Sequence, residues 1–442
     1  MEHERFLEKR FQLSERKTDV KTEIMAGLTT FMTMSYILVV NPNMLSETGM
    51  DKGGVFTATI ISSVIAILFM GLFANLPFAL APGMGLNAFF TYTVCMQMGQ
   101  SWDFALTAVF LEGIVFILLS AFKVREAIFT AIPITLKKAV SVGIGLFIAL
   151  IGFTNAGIIV PGEGVILSLG DLLTPNVLVA FFGLFLMAVL TARKVKGALL
   201  FGILGSTVIA LLLGVASLPI GGIRGIFSLP PSLKPVAFKL QFDNIFTLKM
   251  FSVMFTFLFV DLFDTVGTLT GVATKAGLLD ENGDLPNVGK ALMADAIGTT
   301  LGSLLGTSTV TTFVESASGV ADGGRTGLTA LSTGFFFFIS LFFFPLFAIV
   351  PQEATAPALI MVGLFMMSPI TEIDFDDYSE SVPAFLTIAM MPFAYSIAEG
   401  IAFGMMSFVV MKLTTGKRKD VSPLMFILAL VFLLRILKPI LF

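Results

Sequence analysis

The chain has 442 residues, of which 56% are hydrophobic and only 13% are charged, and its net charge is −3. A soluble domain carries about 25% charged residues, so this composition excludes a soluble fold and predicts that most of the surface contacts the lipid bilayer. The mild acidity excludes nucleic acid as a partner. A single histidine, His3, and a single cysteine exclude a His-based metal site, a Ser-His-Asp triad within the membrane and an internal disulfide, and we expect no cofactor.

Residues 1–23 are charged and contain no apolar run, which predicts a cytoplasmic tail and not a signal peptide. Because about 20 apolar residues cross a bilayer, we expect a first seven-span repeat at 24–217, a polar external linker at 218–247 and a second seven-span repeat at 248–412. Residues 413–442 form a basic loop and a last apolar helix, which either spans the membrane or lies along its cytoplasmic face. The spans are expected near residues 24–42, 54–73, 76–99, 104–122, 133–153, 175–191, 198–217, 248–272, 288–306, 308–320, 327–350, 354–370, 382–397 and 398–412.

The orientation follows from the positive charges. When the spans are counted in alternation, most of the 27 Lys and Arg residues fall on the side of the N-terminal tail. The positive-inside rule therefore predicts a cytoplasmic N-terminus in the inner (plasma) membrane. Residues 382–412 are long enough for one span or for two short ones, and we expect two, since that places the GKRK cluster at 416–419 inside.

Two spans are interrupted. Span three contains ANLPFALAPGMGLNAFFTY and span ten contains GTSTVTTFVESASGVADGG, each with Gly, Pro or Ser/Thr runs. Backbone that leaves the helix at membrane depth must face protein or a water-filled cavity, because lipid offers it no hydrogen bonds. Corresponding interruptions in two halves indicate a transport site between inverted repeats, since an odd number of spans per half inverts the second half.

Three acidic residues are candidates for the chemistry of that site. Asp261 and Asp264 lie about one helical turn apart on span eight. An acid at the bilayer centre costs about 2.5–3.5 kcal/mol on insertion scales, so the pair indicates function; the alternative is that both acids cap neighbouring helices or pair with a Lys. Glu315 lies in interrupted span ten, and its alternative role is to cap the half-helix that follows.

Two uncharged residues complete the candidate site. The amide of Asn87 can both donate and accept hydrogen bonds, and its alternative role is a helix-breaking turn. Phe313 lies beside the break in span ten, where its ring can stack on a flat ligand. Glu112, Asp295 and Glu399 lie in otherwise regular apolar stretches, so for them we expect hydrogen bonds between helices.

Three motifs resemble a known family. FVDLFDTVGTLTG at 259–271, TTFVESASGV at 311–320 and APGMGLNAFF at 81–90 together resemble the azaguanine, hypoxanthine and guanine permease branch of the nucleobase-ascorbate transporter superfamily. The resemblance implies an all-α fold of fourteen spans in two inverted repeats, with short strands in spans three and ten. It also implies a core domain of spans one to four and eight to eleven, a gate domain of spans five to seven and twelve to fourteen, and a homodimer.

The resemblance also implies roles for single residues. Asp264 matches the span-eight acid that contacts the base in uracil relatives, where glutamate is usual, and Asp261 matches a further acid typical of this branch. Glu315 matches the span-ten acid, and Asn87 matches the span-three amide. Because aspartate is shorter than glutamate by one methylene, the question of whether Asp261 or Asp264 contacts the substrate stays open.

The predicted function is proton symport of a purine nucleobase, hypoxanthine or guanine with adenine as a further candidate, by alternating access. A carboxylate can accept from ring N–H groups, and acids clustered at low dielectric (Asp261, Asp264 and Glu315) repel one another unless one takes up a proton. The alternatives are a permease of the same fold for xanthine, uracil or an anion such as sulfate, a membrane-embedded enzyme, and a channel. The acids argue against anions, and the acidic loop EIDFDDYSES lacks the basic neighbours that would hold a diphosphate.

Overall fold

The structure is a computed structural model that describes residues 2–121, 133–162, 164–218, 226–243, 245–278 and 285–441. Helices form most of it, which confirms the predicted all-α class. The α-helices are Glu2–Phe11, Val20–Met34, Ile37–Ser46, Lys52–Phe69, Met84–Ala88, Trp102–Ala121, Ile134–Asn155, Pro175–Ala192, Ala198–Leu212, Leu248–Ala276, Val288–Leu305, Ser316–Ala321, Gly327–Ser340, Phe344–Ala348, Gln352–Met366, Tyr378–Phe393, Ile397–Thr414 and Pro423–Leu441. The strands are β1 (Leu80–Pro82), β2 (Ile159–Val160), β3 (Ser168–Leu169) and β4 (Val310–Thr312).

Nine helical segments among the described residues are long and apolar enough to cross a membrane, which confirms a multi-pass membrane protein. They are Val20–Ser46, Lys52–Ala74, Trp102–Ala121, Ile134–Asn155, Pro175–Ala192, Leu248–Ala273, Gly327–Ala348, Gln352–Glu372 and Ile397–Thr414. The remaining predicted spans also coincide with helices or with a strand followed by a helix, but these are shorter or more polar. Fourteen crossings therefore stay a prediction, as does a crossing by the last helix.

The interruptions in spans three and ten are strands that pair with each other. β1 and β4 run antiparallel, and Ala81 lies opposite Thr311. Pro82 ends β1 and has no N–H to continue a helix, while the β-branched threonines around β4 favour extended backbone. The short strands that the resemblance implies are therefore present, and they bring the two interrupted spans together.

Each strand is followed at once by a short helix. β1 leads through Gly83 into Met84–Ala88 and then into a wide π-helical segment, Phe89–Gln97; β4 leads into Ser316–Ala321. A Cβ added at Gly83 would lie 2.6 Å from the Thr311 methyl carbon. A residue without a side chain is therefore needed where the end of β1 passes span ten.

Residues 382–412 divide as predicted. Helix Tyr378–Phe393 ends before Tyr395, whose φ of 51° is left-handed, and helix Ile397–Thr414 begins directly afterwards. The Ser396 hydroxyl caps this second helix by accepting from the Glu399 N–H at 3.4 Å. The predicted pair of short segments is confirmed.

The charged N-terminal tail is folded and packs on the helices. Phe11 and Leu13 are buried. The Arg16 guanidinium donates to the carbonyl oxygens of Asn75 and Arg325, both at 3.0 Å. A short apolar segment and one arginine therefore attach the tail to the ends of spans two and ten.

Glu23 shows how a buried acid can be purely structural in this fold. Its side chain is fully buried and accepts from the N–H and hydroxyl groups of Thr326 and Thr329, at distances of 2.6 to 3.2 Å. It also accepts from the Arg325 N–H at 2.9 Å. These donors surround the start of helix Gly327–Ser340, where a carboxylate is favoured by the exposed N–H groups and by the helix dipole.

The chain forms two compact units. One comprises Met1–Ala121 and Phe153–Ala358, and the other comprises Phe122–Gly152 and Leu359–Phe442. The first unit contains the paired strands and all the predicted site residues. In the second, Gly145 lies so close to the Gly363 carbonyl oxygen that an added Cβ would be 2.6 Å from it. The predicted seven-span repeats, and their grouping into core and gate domains, stay predictions.

Candidate functional site

The two acids on helix Leu248–Ala276 have different surroundings. Asp261 is fully buried, whereas Asp264 is half-buried. Three residues along a helix correspond to a rotation of about 300°, so the two side chains leave the helix in directions about 60° apart. This angle is enough to direct Asp264 toward the paired strands while Asp261 points into packed protein.

Asp264 lies against the end of β1. A Cβ added at Gly83 would be 3.5 Å from Asp264 Oδ2, so this carboxylate approaches the backbone where span three leaves its strand. It is within electrostatic range of Asp295 and Glu315. Within the described part of the chain, no hydrogen bond or ion pair engages it. Asp264 is thus a partly exposed acceptor that is available to a ligand.

Glu315 begins helix Ser316–Ala321, but its carboxylate caps none of the N–H groups of that helix. Instead, Glu315 Oε1 accepts from the Tyr36 hydroxyl at 2.9 Å. The side chain is half-buried. The capping alternative is therefore not supported, and the hydroxyl holds one carboxylate oxygen while the other is free to accept from a ligand.

Tyr36 was not among the predicted site residues. It lies at the break between helices Val20–Met34 and Ile37–Ser46, is 2% exposed, and directs its hydroxyl at Glu315. The Phe313 ring lies beside it, with the ring centroids 6.5 Å apart and the planes tilted by 44°. Phe313 is 5% exposed, so only a small part of its ring is open to a ligand. The available signal was the Ser-Tyr pair in the middle of predicted span one.

Thr265 joins both buried acids to strand β4. Its hydroxyl lies 3.0 Å from Asp261 Oδ1, 3.1 Å from Asp295 Oδ2 and 2.6 Å from the Thr311 hydroxyl. A hydroxyl has one hydrogen to donate, so these contacts change together when a proton moves. Asp295 does make the interhelical contact that we expected, but this contact also connects it to the site.

Asn87 ties the two interrupted spans to each other. It is fully buried, its amide oxygen accepts from the Ser308 hydroxyl, and its amide nitrogen donates to the Pro82 carbonyl oxygen at 3.4 Å. Nearby, Glu112 accepts from the Thr309 hydroxyl at 2.8 Å. Both side chains therefore hold the segment before β4 in position, and the predicted contact between Asn87 and substrate is not tested.

Comparison with known proteins gives the family. Residues 21–403 match the Permease family (Xan_ur_permease). Adenine permease AdeP of Escherichia coli (strain K12) is 45% identical over 97% of this chain and 96% of its own. Guanine/hypoxanthine permease PbuG of Bacillus subtilis (strain 168) is 43% identical over 96% of this chain and 98% of its own.

A solved structure supports the fold alone. The transmembrane domain of a cyanobacterium bicarbonate transporter, BicA, superposes with a TM-score of 0.65 at 16% identity, covering 86% of this chain and 97% of that one. Together these findings exclude the enzyme alternative, since the family and the similar proteins are transporters. The chain belongs to the permease family, in the branch of the nucleobase-ascorbate transporter superfamily that contains guanine/hypoxanthine and adenine permeases.

Proposed function

We propose that this permease imports purine nucleobases by proton symport and alternating access, as a homodimer in the plasma membrane with its N-terminus in the cytoplasm. The observation that carries the proposal is the pair of half-buried carboxylates, Asp264 and Glu315, at the junction of the paired strands. Neither has an ion-pair partner among the described residues. An acceptor-rich site without cations suits a neutral ring that bears N–H groups, and it disfavours anions.

We assign the direct contact with the substrate to Asp264. It is half-buried and accepts no hydrogen bond from the described residues, whereas Asp261 is fully buried. A carboxylate is an acceptor only, so it fits ring N–H and exocyclic amino groups along the edge of a purine. Glu315, held by Tyr36, accepts from a second donor, and Phe313 contacts the ring face. A base whose donors are placed differently leaves these acceptors unpaired, which is the source of selectivity.

Proton coupling involves the acids around Thr265 together with Asp264 and Glu315. The Thr265 hydroxyl contacts Asp261, Asp295 and Thr311, and Thr311 belongs to strand β4. β4 leads directly to Phe313 and Glu315. A proton that arrives at this group therefore rearranges hydrogen bonds that reach the substrate-binding segment. Each proton that enters down about 100 mV supplies about 2.3 kcal/mol, which supports roughly fifty-fold accumulation.

Alternating access follows if the spans that carry the strands move against the remainder of the chain. The antiparallel pairing of β1 with β4 supports the two-fold relation expected of inverted repeats. In that scheme, the core is formed by spans one to four and eight to eleven, and the gate by spans five to seven and twelve to fourteen.

The test is uptake of labelled hypoxanthine by cells that lack their own purine permeases. We expect unlabelled guanine or adenine to abolish the labelled uptake by competition, and xanthine and uracil to reduce it only weakly. A protonophore should abolish the uptake. Glu315→Gln should remove uptake while the protein remains in the membrane. Uptake unaffected by a protonophore would reject proton coupling, and wild-type accumulation by Glu315→Gln would reject the role of Glu315.

The order of preference among purines has two candidates. The similar proteins include both an adenine permease and a guanine/hypoxanthine permease. Hypoxanthine and guanine carry N–H at ring positions where adenine carries an acceptor nitrogen, so an acceptor-only site favours the former. Competition between unlabelled bases at equal concentration separates the two candidates.

A further inference from the structure

A half-buried acid at the end of span one lies in a small hydrogen-bonded group outside the proposed site. Glu47 Oε1 accepts from the Tyr92 hydroxyl at 3.0 Å and from the Gln352 side-chain amide at 2.9 Å. The Tyr92 oxygen in turn accepts from the Asn155 side-chain amide at 2.9 Å. We call these four residues, Glu47, Tyr92, Asn155 and Gln352, the Glu47 latch.

The latch joins elements with different expected roles. Tyr92 lies on the segment that continues from β1, and Glu47 follows the last helix of span one, so both belong to spans that form the site. Asn155 ends helix Ile134–Asn155, which contains most of predicted span five, and Gln352 begins helix Gln352–Met366, which contains most of predicted span twelve. All four lie within one compact unit. Motion of the strand-bearing spans against spans five and twelve must therefore break the two hydrogen bonds that cross between them, from Gln352 to Glu47 and from Asn155 to Tyr92.

Glu47 is positioned to titrate in the physiological range. Burial raises the pKa of Glu47 to about 7, and the hydrogen bond from Tyr92 opposes only part of that shift. Below the ordinary carboxyl pKa the group is neutral in both the folded and the unfolded state, and between that value and about 7 folding takes up a proton. The contribution of Glu47 to stability therefore falls as the pH rises through this window.

The charged groups around the latch are engaged elsewhere. Asp51 accepts from the Gly54 N–H at 2.7 Å, Asp103 accepts from the Phe104 N–H at 2.8 Å, and Glu353 accepts from the Asn176 amide at 2.8 Å. Lys52 begins the following helix, and among the described residues no cation forms an ion pair with Glu47. The protonation of Glu47 is thus governed by its burial and by its two hydrogen-bond partners, Tyr92 and Gln352.

We propose that the Glu47 latch is a proton-controlled lock: protonated Glu47 holds the site-bearing spans to spans five and twelve, and ionised Glu47 releases them. The neutral carboxyl group still accepts from Tyr92 and Gln352, whereas the ionised group bears a cost of burial that these hydrogen bonds offset only in part, so ionisation favours an arrangement in which Glu47 reaches water. Glu47 lies on the predicted external side, so an acidic exterior keeps the spans held together. That last point rests on the proposed function, whereas the lock itself does not.

The single cysteine of the chain reports on the latch. Cys95 lies three residues after Tyr92 on the same segment and is partly exposed. The rate at which N-ethylmaleimide labels Cys95 is measured in the purified full-length wild type and in Glu47→Gln, which mimics protonated Glu47. Because thiol reactivity itself depends on pH, the quantity compared is the ratio of the two rates at each pH.

We expect the Glu47→Gln rate divided by the wild-type rate to be near one at about pH 5.5, where both proteins are locked, and at most about one third at about pH 8.5, where only the wild type is released. Gln352→Ala, which removes one exposed donor and leaves Glu47 in place, should speed labelling relative to the wild type at the lower pH. A Glu47→Gln ratio that stays near one throughout overturns the proposal, as does unchanged labelling in Gln352→Ala.

Glu353→Gln is the matched control, since it removes the same charge from the residue next to Gln352 but contacts Asn176. Its ratio should stay near one, and a decrease equal to that of Glu47→Gln at the higher pH would show a general charge effect and overturn the lock. The labelling involves no nucleobase. A pH-dependent ratio without any purine uptake would therefore reject the proposed function and leave the lock standing, and uptake with a flat ratio would do the reverse.

Discussion

Asp261 and Asp264 are the same residue type on the same helix, one turn apart, and their surroundings differ completely. Asp261 is fully buried and contacts Thr265, whereas Asp264 is half-buried beside Gly83 and Glu315. The difference indicates that one helix can serve two tasks, with one acid facing the ligand and the other joined to the protein. In this account Asp264 binds the base, and Asp261 acts on the site through the Thr265 hydroxyl.

The largest loss of uptake is expected from a change at Asp264, the acid that faces the ligand in the proposed site. Asp264→Asn should lower hypoxanthine uptake by at least about hundredfold, because it replaces a charged acceptor with an amide whose donor end faces the ring N–H groups. Uptake is measured at matched amounts of protein in the membrane. Glu353→Gln is the control acid-to-amide change outside the site and should behave as the wild type does. Uptake by Asp264→Asn close to the wild-type rate would show that Asp264 does not contact the substrate.

The second prediction concerns Asp261, where a substitution should impair proton coupling but not substrate binding. Asp261→Asn should abolish the roughly fifty-fold accumulation that a proton-motive force of about 100 mV drives and preserve exchange of labelled for unlabelled base when no proton-motive force is imposed. The reason is that it changes the Thr265 group and leaves the ligand-facing carboxylates in place. Both rates are measured in proteoliposomes. Loss of exchange together with accumulation would place Asp261 in the binding site instead.

A third change tests the Thr265 hydroxyl, which links Asp261 and Asp295 to strand β4. Thr265→Val keeps the shape of the side chain and removes the hydroxyl that contacts Asp261, Asp295 and Thr311. We expect about a tenfold loss of driven uptake and restoration of most of it by Thr265→Ser. Uptake by Thr265→Val at the wild-type level, or no restoration by Thr265→Ser, would contradict the role of the hydroxyl.

The smallest effect concerns the second carboxylate. Tyr36→Phe removes the hydroxyl that holds Glu315 Oε1, and a single hydrogen bond of this kind is worth about 1 kcal/mol. The apparent affinity for hypoxanthine should fall about threefold to tenfold while the maximal rate is nearly kept. A loss as large as that of Asp264→Asn would mean that Tyr36 contacts the base directly.

The interruptions in spans three and ten could be predicted because certain residue types disfavour a helix through their local backbone preferences alone. Pro82 and Gly83, and the threonines around Thr311, disfavour a continuous helix wherever they occur, so two breaks at corresponding places were visible in the sequence. That these breaks would contain short strands came from the family resemblance, whereas the pairing of the two strands was not predicted and is seen in the structure. The antiparallel register then follows from the fold and not from any local signal.

The division of roles between the acids could not be predicted, because it depends on neighbours that are distant in sequence. From the sequence, Asp295 was expected only to form a hydrogen bond between helices, and its contact with Thr265, which connects it to the site, was not foreseen. Tyr36 lies at a break in span one that no adjacent glycine or proline marks, and its partner Glu315 is 279 positions away. For Asn87, a ligand and the Ser308 hydroxyl are chemically similar partners, so the sequence alone gives no basis for choosing between them.

The most direct test of the assignment is a binding titration on the two variants side by side. Hypoxanthine is added to purified wild type, Asp261→Asn and Asp264→Asn, and the rise in unfolding temperature gives each affinity, since a ligand that binds only the folded protein stabilises it. The account predicts that Asp261→Asn binds within about threefold of the wild type and that Asp264→Asn binds at least about tenfold more weakly. Equal losses, or a greater loss for Asp261→Asn, would contradict it.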